Sequence, residues 1–507
     1  MKRVLVANRG EIACRVMAAL REEGMDSVAV YSEADREAAH VRAADRAVEI
    51  GPESPAESYL NAERILQAAR EVEADAVHPG YGFLAENADF AAAVEDAGLV
   101  FIGPAPETIA LLGDKRRARA AAVSAGVPVV PGWEGDASDI AGATAAAEDM
   151  GWPVLVKAAL GGGGKGMARV ESAGELASAM EGAARVASSA FGDASLYLEK
   201  WIARPRHVEV QVLGDGRGGV VHLFERECTL QRRHQKIVEE SPSPALGDRL
   251  RTALTDAAVA VAREAAYRSA GTCEFLLDPN GGFYFLEVNA RIQVEHPVTE
   301  LVTGRDLVRE QLRMAVTGEL GFAQEEVTRH GAAVEARLYA EDPDDAFLPR
   351  AGELLRVEFP RRPWLRVDSG VATGDCVSSS YDPMLAKVIT WGADRAEAWW
   401  RLRLALDETV IHGPGTNLPF LRDLLADDAV ASGEYHTTMV EEEFLPRRAE
   451  EKEGTADLLL VAAALADSMN LAAGGAGTDR AKGAPAHPDP WDTMVGWRLR
   501  GRAGGGS

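Results

Sequence analysis

Lysine is scarce in this 507-residue chain, where arginine supplies all but nine of the 54 basic residues. Cysteine is scarcer still. Cys14, Cys228, Cys273 and Cys376 stand far apart with no C-x-x-C spacing, which excludes a disulfide framework and a cysteine-built zinc cluster. A reducing, cytoplasmic compartment fits that usage. Positive charge is short overall, since 54 Lys and Arg against 79 Asp and Glu leave −25 and a pI of about 4.9. Such a balance attracts neither a phosphate backbone nor an anionic lipid surface, so neither nucleic acid nor membrane is expected as a partner. Long apolar runs are missing as well. Val4–Ala7 follows the basic Met1-Lys2-Arg3 but stops at Asn8-Arg9, too short for a signal sequence, and Leu458–Ala466 is too short to span a bilayer.

The lysines that remain are informative. On open surface the two cations exchange readily, but inside a site a compact ammonium and a planar fork are different tools. Five of the nine lysines lie between Lys115 and Lys236, which marks that stretch as a candidate for chemistry. At about 150 residues per domain the chain holds roughly three domains. Its first hundred residues alternate short apolar runs (Val4–Ala7, Val28–Tyr31, Ala76–His78, Val100–Gly103) with helix patterns over Glu11–Glu23, Ser58–Glu73 and Ala88–Ala97. That alternation predicts a doubly wound parallel sheet. The turn Asn8-Arg9-Gly10 stands at a helix start but lacks G-x-G-x-x-G, so it reads as structural and not as a dinucleotide site.

From Leu111 the texture changes. A Lys/Arg-bearing helix over Asp114–Ser124 and a strand at Pro153–Lys157 lead to Gly161-Gly162-Gly163-Gly164-Lys165-Gly166-Met167. A helix over Glu175–Ala187 follows, then strands at Leu196–Trp201, His207–Leu213, Val220–Glu225 and Thr272–Glu287. Five glycines in six positions forfeit too much backbone entropy for a strand or helix. Such a run is either a flexible linker or a mobile lid whose N–H groups and Lys165 close over phosphates, and the flanking strands favour the lid. It is not a Walker P-loop, because no Ser or Thr follows the lysine. More strands and a helix fill Ala333 to about Arg447. Beyond lie a charged linker, a helix pattern over Thr455–Asn470, a Gly/Ala/Pro-rich connector and a strand-like Val495–Leu499.

Thr272–Asn289 reads as a hairpin with Asp278-Pro279-Asn280-Gly281 at its turn. A two-residue Asn280-Gly281 loop sets Glu274 directly opposite Glu287. A loop over Asp278–Gly281 sets Glu274 opposite Phe285, one diagonal from Glu287. Either register puts both carboxylates on one face, joined by Asn289 two residues on. Like charges across strands repel, so such a face requires bulk water or a cation. Oxygen donors without sulfur or imidazole select Mg²⁺ or Mn²⁺, and the apolar Tyr284, Leu286 and Val288 on the other side favour the cation. Directly after, Arg291-Ile292-Gln293-Val294-Glu295-His296-Pro297 offers a guanidinium for a small oxyanion and a carboxylate base in Glu295. Gln231-Arg232-Arg233-His234-Gln235-Lys236 is basic within an acidic chain, and by itself reads equally well as a solvated charge run.

Taken together, Asn8-Arg9-Gly10-Glu11-Ile12, His78-Pro79-Gly80-Tyr81-Gly82-Phe83-Leu84, the glycine run, Pro205-Arg206-His207-Val208-Glu209, Gln231–Lys236 and Asn289–Pro297 closely resemble biotin carboxylase, of the ATP-grasp superfamily, over roughly residues 1–447. The resemblance implies mixed α/β and α+β architecture: a doubly wound N-terminal domain over 1–112, an ATP-grasp domain over 113–332 and a β-rich C-terminal domain over 333–447. A glycine-rich mobile lid is expected at about 131–203, and a linker with a truncated or vestigial segment at 448–507. The implied reaction is phosphorylation of bicarbonate by MgATP, or its Mn²⁺ form, to carboxyphosphate, whose CO₂ passes to N1′ of biotin. This is the first half-reaction of an acyl-CoA carboxylase, and the motifs look most like an α-subunit of the methylcrotonyl-CoA type.

In that family, positions like Lys115, Lys157, Gly163, Gly164, Lys165, Gly166, Glu199, His207, Gln231 and His234 serve the nucleotide, and those like Glu274, Glu287 and Asn289 the metal. Residues like Tyr81, Lys236, Arg291, Gln293, Val294 and Glu295 surround bicarbonate and biotin, with the glutamate as base, while the arginine like Arg337 holds the biotin enolate. Tyr381–Lys387 matches a family motif that offers no role for Lys387. Lys165 stands where some relatives have arginine, and Val288 where methionine is frequent; neither change removes a ligand. No Ala-Met-Lys-Met segment occurs, so the biotinylated lysine is expected on a separate carrier protein or a missing carrier domain. The expected partners are that carrier, a carboxyltransferase subunit and a second copy of the chain. Asp489-Pro490-Trp491 and Gly496-Trp497-Arg498 resemble the opening of the region that follows this core in such α-subunits.

Two other classes share part of the signal. A different bicarbonate-using ATP-grasp ligase, similar to carbamoyl-phosphate synthetase, would not respond to free biotin. A non-catalytic ATP-binding assembly subunit would turn over no ATP. The acyl-CoA or pyruvate that finally receives the carboxyl group is chosen by a carboxyltransferase and is not written in these residues.

Overall fold

The structure is a computed structural model that describes residues 1–135, 138–158, 167–191, 196–452 and 465. It separates into a large unit, Met1–Phe444, and a second unit, Leu445–Ser507. In the large unit the doubly wound sheet is present. Strands β1 (Arg3–Val6), β2 (Asp26–Ser32), β3 (Arg46–Gly51), β4 (Ala76–His78) and β5 (Val100–Phe101) lie in the order β3-β2-β1-β4-β5, all parallel. The residues of β4 and Val4–Val6 of β1 are buried, as strands covered by helices on both faces must be. Helix α1 (Gly10–Glu22) leaves β1 through the Asn8-Arg9-Gly10 turn and buries Ile12, Val16 and Leu20 at a spacing of four. The turn is structural: Asn8 Nδ2 donates to the carbonyls of Pro79 (2.8 Å) and Tyr81 (2.7 Å), and Arg9 pairs with Asp35.

Differences from the sequence reading have local causes. The helix expected over Ser58–Glu73 runs only over Ala62–Glu71, because the Asn61 side chain accepts from Arg64 N–H (3.1 Å) and caps it there. Strand β3 gave no signal because it lies at the sheet edge with Arg46 and Ala47 exposed, so no apolar alternation marks it.

A four-stranded sheet of order β6-β9-β7-β8 comprises β6 (Gly132–Gly135), β7 (Val154–Ala158), β8 (Ala168–Val170) and β9 (Leu196–Lys200), and Val154, Val156, Leu196 and Leu198 build its own core. The glycine run as far as Gly166, with Gly163, Gly164 and Lys165, lies outside the described residues. So do the helix pattern at Thr455–Asn470, apart from Leu465, and the strand-like Val495–Leu499.

The largest sheet has eight strands: β10 (Arg206–Asp215), β11 (Val220–Arg232), β12 (Gln235–Ser241), β13 (Arg268–Leu277), β14 (Phe283–Asn289), β15 (Ala332–Tyr339), Leu365–Ser369 and Met384–Gly392. Their order is β14-β13-β10-β11-β12-β15, then Met384–Gly392 and Leu365–Ser369, antiparallel throughout. Strand β11 runs seven residues past the expected Glu225, which buries Gln231 and Arg232 in the sheet. Arg233 and His234 form the exposed turn that follows, both at positive φ. Among the described residues no helix is long and apolar enough to cross a membrane, and all four cysteines are free.

Candidate active site

The hairpin of β13 and β14 turns through Asp278–Gly282, where Asp278 N–H donates to the Gly282 carbonyl (2.7 Å) and Gly281 N–H to that of Asp278 (2.9 Å). Next to the turn Leu277 pairs with Phe283 and Phe275 with Phe285. Continued unchanged, that register would set Leu286 opposite Glu274 and send Glu287 to the other face. A shift between Glu274 and Phe275 makes Leu286 the extra residue, and Glu274 pairs directly with Glu287. The carboxylates therefore face each other as expected, but through a bulge and not through either predicted loop.

Strand β12 uses the same device. Leu230 pairs with Val238 but Gln231 with Lys236, so Ile237 is extra, and Lys236 and Glu239, three apart, both serve one site. Lys236 Nζ donates to Glu209 Oε2 (2.5 Å), Glu274 Oε1 (2.8 Å) and Glu295 Oε1 (2.7 Å). Burial would lower this ammonium, but the three carboxylates outweigh it and hold it well above its ordinary value. Burial likewise pushes Glu295 up, and Lys236, Arg337 and Arg226 more than reverse that, leaving the carboxyl well below its usual range. Glu295 is thus a carboxylate held between two cations. The second, Arg337, reaches Glu295 Oε2 with Nη2 (2.9 Å) and Glu239 Oε1 with Nε (2.6 Å).

Glu274 is enclosed by donors. Asn289 Nδ2 (2.8 Å) and Gln293 Nε2 (2.7 Å) reach Oε1, and His207 Nε2 lies 2.8 Å from Oε2. Burial pushes Glu274 up, but Lys236 and His207 bring it well below the ordinary range. Glu287 is pushed up by burial and then by the charge of Glu274, with Lys115 Nζ 3.9 Å away as a partial offset. A cation between two facing carboxylates relieves that repulsion, and the oxygen donors of Glu274, Glu287 and Asn289 suit Mg²⁺ or Mn²⁺. Arg291 spans the rim, donating from Nη2 to Asn289 Oδ1 (2.9 Å) and from Nε to Glu86 Oε2 (2.9 Å).

The other expected residues are placed as follows. Lys157 and Glu199 form an ion pair between β7 and β9. Lys115 opens the helix Lys115–Ser124. Gln231 is buried and paired with Lys236 across the sheet, whereas His234 is exposed at the turn. The Tyr81 hydroxyl donates to Glu11, and the Val294 carbonyl accepts from Lys387 Nζ (2.9 Å).

Sequence reading missed the residue at the centre. Arg226, with no exposed surface, donates to Glu209 Oε1 (2.5 Å), Gln211 Oε1 (2.7 Å), Thr299 Oγ1 (3.0 Å), Thr272 Oγ1 (3.1 Å) and Gln293 Oε1 (2.8 Å). The signal available was three successive charges, Glu225-Arg226-Glu227, inside a strand pattern. Glu209 and Glu239 were missed in the same way. His207, Glu209 and Glu274 also bring metal-ligand atoms within 4.8 Å of one another, but Lys236 and Arg226 already neutralise that group.

Comparison with known proteins fits this geometry. Residues 1–109 match the family model "Biotin carboxylase, N-terminal domain", 114–322 match "Carbamoyl-phosphate synthase L chain, ATP binding domain" and 335–442 match "Biotin carboxylase C-terminal domain". Biotin carboxylase 2 of Bacillus subtilis is 47% identical over 440 residues, 87% of this chain and 99% of the relative. The mitochondrial methylcrotonoyl-CoA carboxylase subunit alpha of Dictyostelium discoideum is 47% identical over 439 residues, 86% of this chain but 63% of the relative. The chain thus spans about three fifths of the length of such α-subunits. Among solved structures, biotin carboxylase of Campylobacter jejuni in a β-γ-ATP complex superposes with a TM-score of 0.82 at 41% identity, covering 86% of this chain and 98% of that one. The biotin carboxylase domain dimer of Hydrogenobacter thermophilus 2-oxoglutarate carboxylase, with MgADP, ADP and bicarbonate, gives 0.81 at 44% identity, covering 87% and 97%.

Proposed function

The chain belongs to the biotin carboxylase family, and from that premise we propose that it carboxylates biotin with bicarbonate at the expense of MgATP. The observation that carries the proposal is the ionised Glu295 held between Lys236 and Arg337, beside the facing pair Glu274 and Glu287. In this reading Glu295 takes the proton of bicarbonate, which lets the anion attack the terminal phosphate. Lys236 and Arg291 lie where negative charge grows on carboxyphosphate, and fixed cations there stabilise the transition state more than the ground state. Gln293 and the Val294 backbone orient the anion. Carboxyphosphate then splits into CO₂ and phosphate, the phosphate takes the proton of biotin N1′ while Arg337 stabilises the ureido oxygen, and N1′ bonds to the CO₂, with Tyr81 at the same end of the site.

Lys115, Lys157, Glu199, His207, Gln231 and His234 are assigned to the nucleotide, with Gly163, Gly164, Lys165 and Gly166 as its cover. Glu274, Glu287 and Asn289 would hold Mg²⁺, which when bound draws charge from the phosphates. The domain limits proposed are 1–112, 113–332 and 333–447, with 448–507 as a following segment. The carboxyl group then passes, on a biotin carrier, to a carboxyltransferase serving acetyl-, propionyl- or methylcrotonyl-CoA, and the chain works as a homodimer. The test is ADP release that requires bicarbonate and rises with free biotin. Glu295→Gln and Arg337→Ala should each abolish it, and full turnover in either variant removes that residue from the mechanism.

A further inference from the structure

The motif Tyr381–Lys387 has no part in the steps above, yet it carries a lysine whose side chain has no exposed surface. Lys387 stands on Met384–Gly392, paired across the sheet with Arg337. Its Nζ donates to the Val294 carbonyl (2.9 Å) and lies 3.1 Å from Glu11 Oε2 and 3.7 Å from Asp368 Oδ2. Asp368 is already clamped by Arg366, whose Nε and Nη2 reach its two oxygens at 2.8 and 2.7 Å. Glu335 is the other carboxyl near the ammonium. Both its oxygens lack a hydrogen-bond partner among the described residues, and burial pushes it well above the usual range. The carboxylate nearest to the Lys387 ammonium is Glu11.

Two partners of Lys387, Val294 and Glu11, lead to the site. The Val294 carbonyl belongs to the same planar peptide as the Glu295 N–H, so holding that oxygen fixes the plane from which the base departs. Immediately after, Glu295 serves as the N-cap of the helix His296–Thr303, which constrains the chain from the other side. The second oxygen of Glu11 accepts the Tyr81 hydroxyl. One ammonium therefore ties down both walls around the place assigned to bicarbonate and biotin. None of its described contacts reaches the nucleotide residues Lys115, Lys157 or Glu199.

We propose that Lys387 is a positioning residue for the bicarbonate end of the site, acting on Glu295 through the Val294 carbonyl and on Tyr81 through Glu11. This rests on the reading of Glu295 as the base. The experiment begins with the full chain: if it shows no biotin-stimulated, bicarbonate-dependent ATP cleavage, the functional reading fails and not this one. Given that activity, the variant is Lys387→Met with Glu11→Gln, which removes both charges and so avoids stranding a buried carboxylate. We expect a thermal midpoint close to the parent's, a KM for ATP within about twofold, and kcat/KM for bicarbonate down about 10- to 100-fold, the scale of a small misplacement of a reacting group. Glu11→Gln alone, which leaves the ammonium beside Asp368, is the second variant and is expected to lower the same parameter by a smaller factor with KM for ATP unmoved. Parental kcat/KM for bicarbonate in the folded double variant overturns the proposal. Equal losses toward ATP and bicarbonate overturn it too, since they mark general support of the fold. Should the double variant not fold, the single variant decides by the same two criteria.

Discussion

Replacing Arg226 by Met tests whether the site is held by one buried cation. Methionine matches the length of the stem but removes five hydrogen bonds, one to Glu209 and four to the neutral Gln211, Thr299, Thr272 and Gln293. Removing one member of a buried ion pair costs about 3–5 kcal/mol, and Glu209 keeps Lys236, which places the loss near the lower end. The neutral partners add about 1–2 kcal/mol after they relax toward other groups. An expected loss of about 4–5 kcal/mol is a large fraction of the roughly 5–15 kcal/mol that holds a protein folded. Urea denaturation followed by tryptophan fluorescence reads it directly. Adding Glu209→Gln removes the stranded anion and should return about half the loss. A single variant within about 1 kcal/mol of the parent would refute the reasoning, because the guanidinium would then be replaceable by packing alone.

Glu287 is 38% exposed at its side chain, so Glu287→Gln should cost little stability while lowering Mn²⁺ affinity in the presence of ADP by about tenfold or more, read by electron paramagnetic resonance. Unchanged affinity would count against the facing pair as the metal site. Burial pushes Glu239 up to about 7, with Arg337 opposing, from an ordinary 4.5. The folded chain therefore keeps a proton that the unfolded chain releases, so the stability this group contributes is full at low pH and is lost as pH rises through about 7. Glu239→Gln should flatten that fall, and equal pH slopes in variant and parent would dispose of the shift. Cys376 is exposed, Cys228 and Cys273 are buried, and burial pushes the Cys14 and Cys273 thiols up to about 12. Ellman's reagent should therefore find one fast thiol in the native chain and four after denaturation; a second fast thiol would contradict the burial.

What the sequence displayed was whatever depends on short-range pattern. Glu274 and Glu287 could be assigned to one face because a hairpin with Asp-Pro-Asn-Gly at its turn has few registers, and each satisfies the alternation of strand side chains. The bulge at Leu286 left no mark, since an unpaired residue is a property of two backbones together. The scarcity of lysine pointed to Lys236, which lies among three carboxylates, yet Lys200 is exposed at the end of β9, so scarcity alone does not distinguish a buried cluster from a surface. Arg226 was invisible for a different reason. Its five acceptors come from β10, β13, the loop after β14 and the helix at His296, which are adjacent only once the sheet has formed. The far end of β11 hid in the same way, because its buried polar residues look like solvated charge until their partners on β12 are known.

One sheet runs unbroken from the hairpin to Leu365–Ser369, and β12 and β15, which fall under different family models, are neighbours within it. A gene fragment ending before β15 would present an open edge of backbone donors and acceptors along β12. Glu295 would keep the ammonium of Lys236 and lose the guanidinium of Arg337 altogether. The two cationic flanks of Glu295 are thus welded by main-chain hydrogen bonds, and a cut at that junction parts them.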